Sequence, residues 1–452
     1  MQKTEQPIRV LHVFGKLNRG GAESRVMDLY HHMDRSKVQF DFLVHYKAGN
    51  EEKKSGKSLE ELRRPEDLDE EVRALGGRIY VLPRFTGTNL WEYRKACREF
   101  FAAHHDFAAV EGHMTSMASV YLPIAKAAGV PVTIAHARSA GVDAGIRGLA
   151  TKFFRKSLPK KCDLMMSCSK EASVAVFGKE AYESGRVLAV PNALDLHAFY
   201  FDPERRRAAR ENYAIPDKAL VIGHVGRLDP VKNHSYIAKV GRALADRMAE
   251  NNDTENAAPL YFLFAGKGTL QDAIRKEFEA AGLAEHLIFT GQLSREDTAA
   301  LYQAFDVFVF PSLYEGMPGT LIEAQAAGLP CVISDTITKE AMLTELVCAL
   351  PLNQEAEWAG EVLRRVSSTG GGCVKQGDPE GRAEASREAA RALAEAGYDV
   401  ESAAVRMQEM YLGFASSSAT AGAASNTEKN STGEHTGSQG AGRKAPVQNR
   451  AE

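Results

Sequence analysis

The chain has 452 residues, 44% of them hydrophobic and 25% charged, and its formal net charge is −3. That length exceeds what one ordinary hydrophobic core organises, so two domains are expected, and the composition is that of a soluble globular protein without the charge excess that would bind nucleic acid. Six cysteines (Cys97, Cys162, Cys168, Cys331, Cys348, Cys373) form no C-x-x-C pair, which argues against a zinc site or a disulfide framework, and no run approaches about 18 apolar residues, so no membrane span is expected.

The N-terminus lacks an apolar signal core, and a cytoplasmic location is expected. Apolar runs at 8–14, 38–44, 78–82, 108–110, 131–135, 164–167 and 187–190 alternate with helical patterns. Such alternation predicts a parallel sheet covered by helices on both faces. The first run opens into GKLNRGGAE, residues 15–23, where Gly20 and Gly21 allow close approach of a ligand to the backbone. Glu23 then suits the first turn of a helix that carries Val26, Leu29, Tyr30 and Met33 inward. This is not G-x-G-x-x-G, so a nicotinamide fingerprint is absent. Residues 49–71, packed with Lys, Glu and Arg, read as a solvated insertion; Asp67-Leu68-Asp69 is spaced like a metal-binding D-x-D but is assigned to that charge run. His113 follows Glu111 after the fourth run, and His136 ends the fifth. Between 147 and 161, Arg147, Lys152, Arg155, Lys156, Lys160 and Lys161 occur without an acid, beside Leu149, Ala150, Phe153 and Phe154 at helical spacing. That is the pattern of an amphipathic helix resting on an anionic bilayer; a solvated basic face over a core stripe is the alternative.

A second series of runs follows at 220–225, 260–265, 287–290, 307–310, 331–334 and 348–350, with the boundary expected within 195–216. Two Rossmann-like domains in tandem is the economical reading. The first of these strands leads into Gly226-Arg227-Leu228-Asp229-Pro230-Val231-Lys232, whose two cations, five positions apart, can bracket a diphosphate. Residues 306–335 read as strand, glycine-bearing loop, helix and strand. Gly316, Met317, Pro318 and Gly319 make the turn, Thr320 is expected to cap the helix, and the helix runs through Leu321 to Gly328. A loop of unpaired N–H groups at a helix N-terminus attracts phosphate. Glu315 then faces the ligand, while Glu323, eight positions later, lies where it can accept hydrogen bonds from hydroxyls. Phosphate donors beside such carboxylates suggest a nucleotide sugar or a sugar phosphate. Farther on, 367–382 carries a Gly-Gly-Gly run and reads as a second insertion, 398–414 has helical spacing, and 415–452 is too poor in large apolar residues to order itself.

The pair Glu315/Glu323, the Arg227/Lys232 pair, the Gly20-Gly21-Ala22-Glu23 loop and His136 occur in the order found in retaining glycosyltransferases of the GT-B fold, and the chain resembles glycosyltransferase family four. Residues 9–23 and 321–335 look like bacterial members that build exopolysaccharide or other surface glycans on a lipid carrier. The resemblance implies an α/β chain of GT-B architecture, two Rossmann-like domains facing each other across a cleft: an acceptor domain at 1–200, a donor domain at 201–397, a helix crossing back at 398–414 and a disordered tail at 415–452. It implies a nucleotide-diphosphate sugar, expected to be UDP-linked, as donor, and a glycan or lipid-linked acceptor. Glu323 would hold the ribose, Glu315 the sugar, and Arg227 and Lys232 the diphosphate, with Gly316, Met317, Pro318, Gly319, Thr320 and Leu321 around the donor. The sugar would project toward Gly20, Gly21 and His136. His136, Glu315, Arg227 and Lys232 carry the catalytic expectation. No cofactor or metal is implied, because the cations take that role, and the basic helix (Arg147, Lys152, Arg155, Lys156) would bring the enzyme to the inner face of the plasma membrane. Many family members have H-x-H where this chain has Glu111 and His113, which leaves the acceptor side open. A nucleotide-sugar epimerase of the same fold and a non-catalytic sugar-nucleotide-binding protein are the alternatives.

Overall fold

The computed structural model describes residues 6–139, 141, 146–251 and 258–430. Its first sheet contains seven parallel strands in the order β3-β2-β1-β4-β5-β6-β7: β1 (Ile8–Val13), β2 (Val38–Tyr46), β3 (Ile79–Pro83), β4 (Ala109–Gly112), β5 (Val132–Ala137), β6 (Leu164–Ser167) and β7 (Val187–Ala189). The second contains six in the order β10-β9-β8-β11-β12-β13: β8 (Leu220–Val225), β9 (Leu260–Ala265), β10 (Leu287–Gly291), β11 (Val307–Phe310), β12 (Cys331–Ser334) and β13 (Val347–Leu350).

In the central strands continuous apolar runs are buried on both faces and successive side chains feed different cores, whereas the edge strand β7 is largely exposed. Along β1, Val10 enters one cluster while Leu11 and Val13 enter the other. Along β11, Phe308 and Phe310 face one side, Val307 and Val309 the other. Each such burial contributes roughly 1.5–3 kcal/mol. Register is parallel throughout, with Ile8 opposite Val38 and Val10 opposite Ala109.

After β13 the chain forms helices Glu355–Ser367 and Pro379–Glu395 on the second domain, then returns. The helix Val400–Asn430 places Val400, Ala403, Ala404, Met407 and Tyr411 in the core of the first domain, beside Val10 and Phe14. Where the chain leaves and re-enters that domain the two passages are paired: Leu194 N donates to Tyr398 O at 2.9 Å and Val400 N to Leu194 O at 3.1 Å.

Two expectations need correction. The segment 49–71 is exposed over much of its length but is more than a solvated charge run. It forms helices Asn50–Lys54 and Leu59–Leu62, and its charges pair with one another: Arg63 bonds Asp69 and Glu66, both at 2.6 Å, and Leu68 and Asp69 are buried. Glu66 and Asp67 also accept from the backbone N–H groups of Leu17 (2.6 Å) and Arg19 (3.1 Å), so this segment braces the glycine loop after β1. The returning helix continues past Phe414 to Asn430, into the stretch where a disordered tail was expected; its alanines favour helix. Residues 431–452 of that tail lie outside the described residues. In the glycine-bearing segment 367–382, Gly370, Gly371 and Gly372 all have positive φ, and the Gly372 carbonyl accepts from buried Arg365 at 2.7 Å, so the glycine run is a structured turn.

Candidate active site

In both sheets the strand order reverses direction beside the first strand, between β1 and β4 and between β8 and β11. Crevices open at the carboxyl ends of strands at such points. The loops after β1, β4, β5, β8 and β11 therefore gather at one place, between the domains.

The second domain supplies the wall that the sequence made legible. Asp229 caps the short turn Pro230–Lys232 through the N–H groups of Val231 and Lys232, and Asn233 adopts a left-handed conformation, φ 53°, that turns the chain into the helix His234–Asn251. This fold-back directs Lys232 Nζ to Glu315 Oε1, at 2.5 Å, and over the Phe310 ring, 4.6 Å from its centroid. A Cβ on Gly226 would approach the Lys232 side chain to 3.1 Å and the His224 ring to 3.3 Å, so a larger residue there would crowd the lysine. Arg227 remains 81% exposed and rests on Asp229 at 3.1 Å. The helix Gly319–Ala326 begins after Pro318, which offers no side-chain acceptor. Thr320 is thus not the cap but the second helical residue, and its Oγ1 is buried without a hydrogen-bond partner among the described residues. Proline at the cap leaves the N–H groups of Gly319 and Thr320 without a side-chain cap, at a helix end that favours an anion. Leu321 points into the core, with its N–H on Pro318 O at 3.1 Å, and Met317 Sδ accepts from Tyr398 at 3.2 Å. A cavity of about 360 Å³ lies between Arg227, Lys232, Glu315, Gly316 and Met317 on this side and Arg138, Ser139, Cys168 and Ser169 on the other. A Cβ on Gly21, Gly316 or Gly319 would meet nothing within 4 Å, so open backbone, not packing, distinguishes these positions; Gly20 instead abuts the Glu23 carboxylate.

Glu323 is held differently from its expected role on a ribose. Its carboxylate accepts from Tyr302 at 3.0 Å and, across the domain boundary, from Arg25 at 3.1 Å. Burial raises its pKa, with Arg25 and Tyr302 opposing. Arg25 also pairs with Asp28 at 3.1 Å, and Asp28 with Arg295. Burial, then the Arg25 charge, lowers the Arg295 pKa to about 10. Two arginines and two carboxylates thus join the first helix of one domain to two helices of the other.

His136 does not line the cavity. It is wholly buried, and its Nδ1 lies 2.7 Å from Glu111 Oε1. Burial, then the Arg138 charge, lowers its pKa to about 4, and burial lowers those of His12 (to about 4) and His113 as well. The three rings are accordingly neutral near pH 7. Burial pushes the Glu111 carboxyl up, but the His136 hydrogen bond and its other neighbours hold it well below the usual range. Its second oxygen accepts from Tyr411 of the returning helix at 2.5 Å. His12 Nδ1 lies 3.1 Å from His113 Nε2, and Arg138 Nε 3.5 Å from His113 Nδ1. The glutamate that departs from the family pattern is therefore the centre of a buried network spanning β1, β4, β5 and the last helix. His12, Glu111 and His113 also bring ligand atoms within 4.8 Å of one another, the spacing of a metal site. Arg138, 4.0 Å from Glu111, supplies positive charge there already. Arg138 and Arg25 went unnoticed in sequence; the signal available was an arginine two residues beyond a strand-end histidine.

In the helix Ile146–Lys156 the basic residues divide. Arg155, expected on the membrane face, is buried, with Nε on Thr115 Oγ1 at 3.0 Å; the helix turns that side toward the neighbouring helix Thr115–Ala127. Lys152 and Lys156 are exposed, and the side chain of Arg147 lies outside the described residues. Phe153 is 75% and Leu149 68% exposed. Beside them a groove of about 980 Å³ is lined by Val120, Ile124, Phe153 and Phe154 and rimmed by Arg94, Arg98, Lys156, Lys160 and Lys161, with no acid. Among the described residues no helix is long and apolar enough to cross a membrane.

The family model described as glycosyl transferases group 1 matches residues 205–356. The chain is 34% identical over 368 residues to a putative glycosyltransferase, EpsF, of Bacillus subtilis strain 168, covering 80% of this chain and 88% of that one. It is 30% identical over 177 residues to the Escherichia coli UDP-Gal:alpha-D-GlcNAc-diphosphoundecaprenol alpha-1,3-galactosyltransferase, covering 39% of this chain and 43% of that one. Among solved structures, Anabaena Alr3699/HepE in complex with UDP and glucose superposes with a TM-score of 0.63 at 16% identity, over 89% of this chain and 99% of that one. With two parallel-sheet domains facing across a cleft and a 34% identical relative of this kind matched over most of both chains, the chain belongs to the glycosyl transferases group 1 family and is a glycosyltransferase of GT-B fold.

Proposed function

We propose that this chain is a retaining enzyme of glycosyltransferase family four that moves a hexose from a UDP-linked donor to a lipid-linked glycan acceptor in surface polysaccharide synthesis. The observation that carries this reading is the Lys232–Glu315 pair at the head of an uncapped helix, opening on a cavity of about 360 Å³. Lys232, Arg227 and the helix N-terminus receive the diphosphate and stabilise its growing charge as the sugar leaves. Their charge supplies what a metal would otherwise provide. Glu315 meets the sugar. Glu323 accepts from the ribose hydroxyls once Arg25 releases it.

The glycosidic carbon loses its bond to the diphosphate oxygen and gains one to the acceptor oxygen on the same face. The acceptor proton passes to the departing phosphate oxygen, so no protein nucleophile enters. Similarity to an E. coli enzyme named for a diphosphoundecaprenol acceptor supports the lipid-linked class. The apolar groove with its cationic rim supports a peripheral position on an anionic, cytoplasm-facing membrane.

A UDP-sugar panel, turned over with a lipid-linked oligosaccharide fraction, tests the reading. The expected result is UDP release dependent on acceptor and a product whose anomeric configuration, read by NMR, matches the donor. Inversion would refute retention. Isomerised donor without acceptor would establish the epimerase alternative, and donor binding without release the non-catalytic one.

A further inference from the structure

Arg138 occupies the wall opposite Arg227 and Lys232, just past the end of β5, and lines the same cavity. Its side chain is 5% exposed. The guanidinium is fixed on two edges: Nη1 donates to Asn192 Oδ1 at 2.8 Å, and Nε lies 3.5 Å from His113 Nδ1. Nη2 is buried and has no hydrogen-bond partner among the described residues. A guanidinium has five donors, and leaving one unmet in a buried place is costly.

The nearby carboxylate does not meet that need. Glu111 Oε1 is 4.0 Å from Nη2 and is already taken by His136, and Glu111 Oε2 is taken by Tyr411. Glu111 therefore balances the charge of Arg138 from behind without occupying its fork. On the cavity wall itself the cations Arg138, Arg227 and Lys232 face one carboxylate, Glu315. Glu111 stands behind Arg138, Asp229 beside Arg227 and Glu315 on Lys232, so these residues bring converging donors rather than net charge to the cavity, and a guanidinium fork matches phosphate oxygens.

We propose that Arg138 is the first domain's phosphate-binding residue, closing on an anion held from the other side by Arg227 and Lys232, with Asn192 and His113 positioning its guanidinium and Glu111 balancing its charge. The inference rests on reading the cavity as a diphosphate site. The phosphate has two possible sources, the donor's diphosphate or a phosphate on a lipid-linked acceptor, and they are separable.

Calorimetric titration of the full chain with UDP, uridine and geranyl diphosphate tests this, using Arg138→Met, Arg138→Lys and Glu111→Gln. Arg138→Met is expected to weaken UDP by about tenfold or more while leaving uridine unchanged, with Arg138→Lys intermediate because it keeps charge but not the fork. If geranyl diphosphate alone weakens, the residue reads the acceptor's phosphate. Glu111→Gln removes the charge behind the guanidinium, so diphosphate affinity is expected to hold or rise, which a merely structural role would not produce. Equal diphosphate affinity in wild type, Arg138→Met and Arg138→Lys overturns the proposal, as does parallel loss of UDP and uridine affinity in Glu111→Gln. Should Arg138→Met fail to fold, Arg138→Lys and Glu111→Gln decide. A wild-type protein that binds UDP no better than uridine overturns the diphosphate reading too, whereas variant-independent tight binding overturns the role of Arg138 alone.

Discussion

Lys232 has two claimants, the Glu315 carboxylate it touches and the diphosphate it is positioned to receive. Lys232→Ala is expected to weaken UDP binding and slow transfer by about 2 to 4 kcal/mol in transition-state terms, read from kcat/KM. Glu315→Gln separates the claims: removing the carboxylate frees Lys232, so UDP affinity holds or rises while kcat falls. Unchanged kcat in that variant would remove Glu315 from the chemistry. The histidines titrate in a predictable direction. His12 and His136 have folded pKa values of about 4 against an ordinary 6.5, so the unfolded chain binds more protons between those values. Stability from their burial is complete above pH 6.5 and is lost as pH falls toward 4, with a slope of up to about 1.4 kcal/mol per pH unit per ring. Urea unfolding followed across that window should show the decline, shallower in His136→Asn. At this scale Lys232 and Glu315 could be singled out from local motifs, and the structure brings the two side chains together at one cavity. His136 was misassigned because a strand-end histidine looks alike whether it faces a cavity or a buried glutamate, and that glutamate's partners lie 25 and 300 residues away.

Helices and strands differ in how far local pattern determines them. All the apolar runs became strands, because a parallel strand buried on both faces must be apolar whatever its neighbours are. The cap at Thr320 was misread since a hydroxyl at a helix start is a good cap only if the chain turns there, and Pro318 makes it turn earlier. The segment 49–71 was misread because its charges pair through geometry that composition does not reveal. The basic stretch shows the same limit, since helical spacing alone did not say which cations face Thr115. A test of the groove follows from the observed faces: Lys156, Lys160 and Lys161 changed together to Ser should abolish co-sedimentation with anionic liposomes at low salt, each cation contributing about 1 kcal/mol. Nucleotide affinity should be untouched. Persistent sedimentation would make this face an ordinary solvated one.

Across the whole molecule, the Arg25–Glu323 and Arg295–Asp28 pairs tie the domains together through groups that a donor would also want. Arg25→Ala removes a cation from a buried carboxylate, and the domains should separate more readily. The expected outcome is a larger radius of gyration without donor, measured by solution scattering, that contracts when UDP is added. An unaltered scattering curve would mean that the other cross-domain contacts, such as Thr338 to Glu171 at 2.9 Å, suffice.

The returning helix has a consequence for how the protein is made. Its residues Val400, Ala404, Met407 and Tyr411 complete the core of the first domain, although the strands of that domain end at Ala189. During synthesis, domains ordinarily fold as they emerge, the N-terminal one first. Here the first domain to be translated is the last to be finished. All strands of the second domain have left the ribosome before Tyr411 reaches Glu111, and until then the carboxylate and the apolar face around Val10 lack their cover. A released chain ending near residue 397 should therefore carry a protease-resistant second domain behind a susceptible first one, the reverse of the usual order of protection.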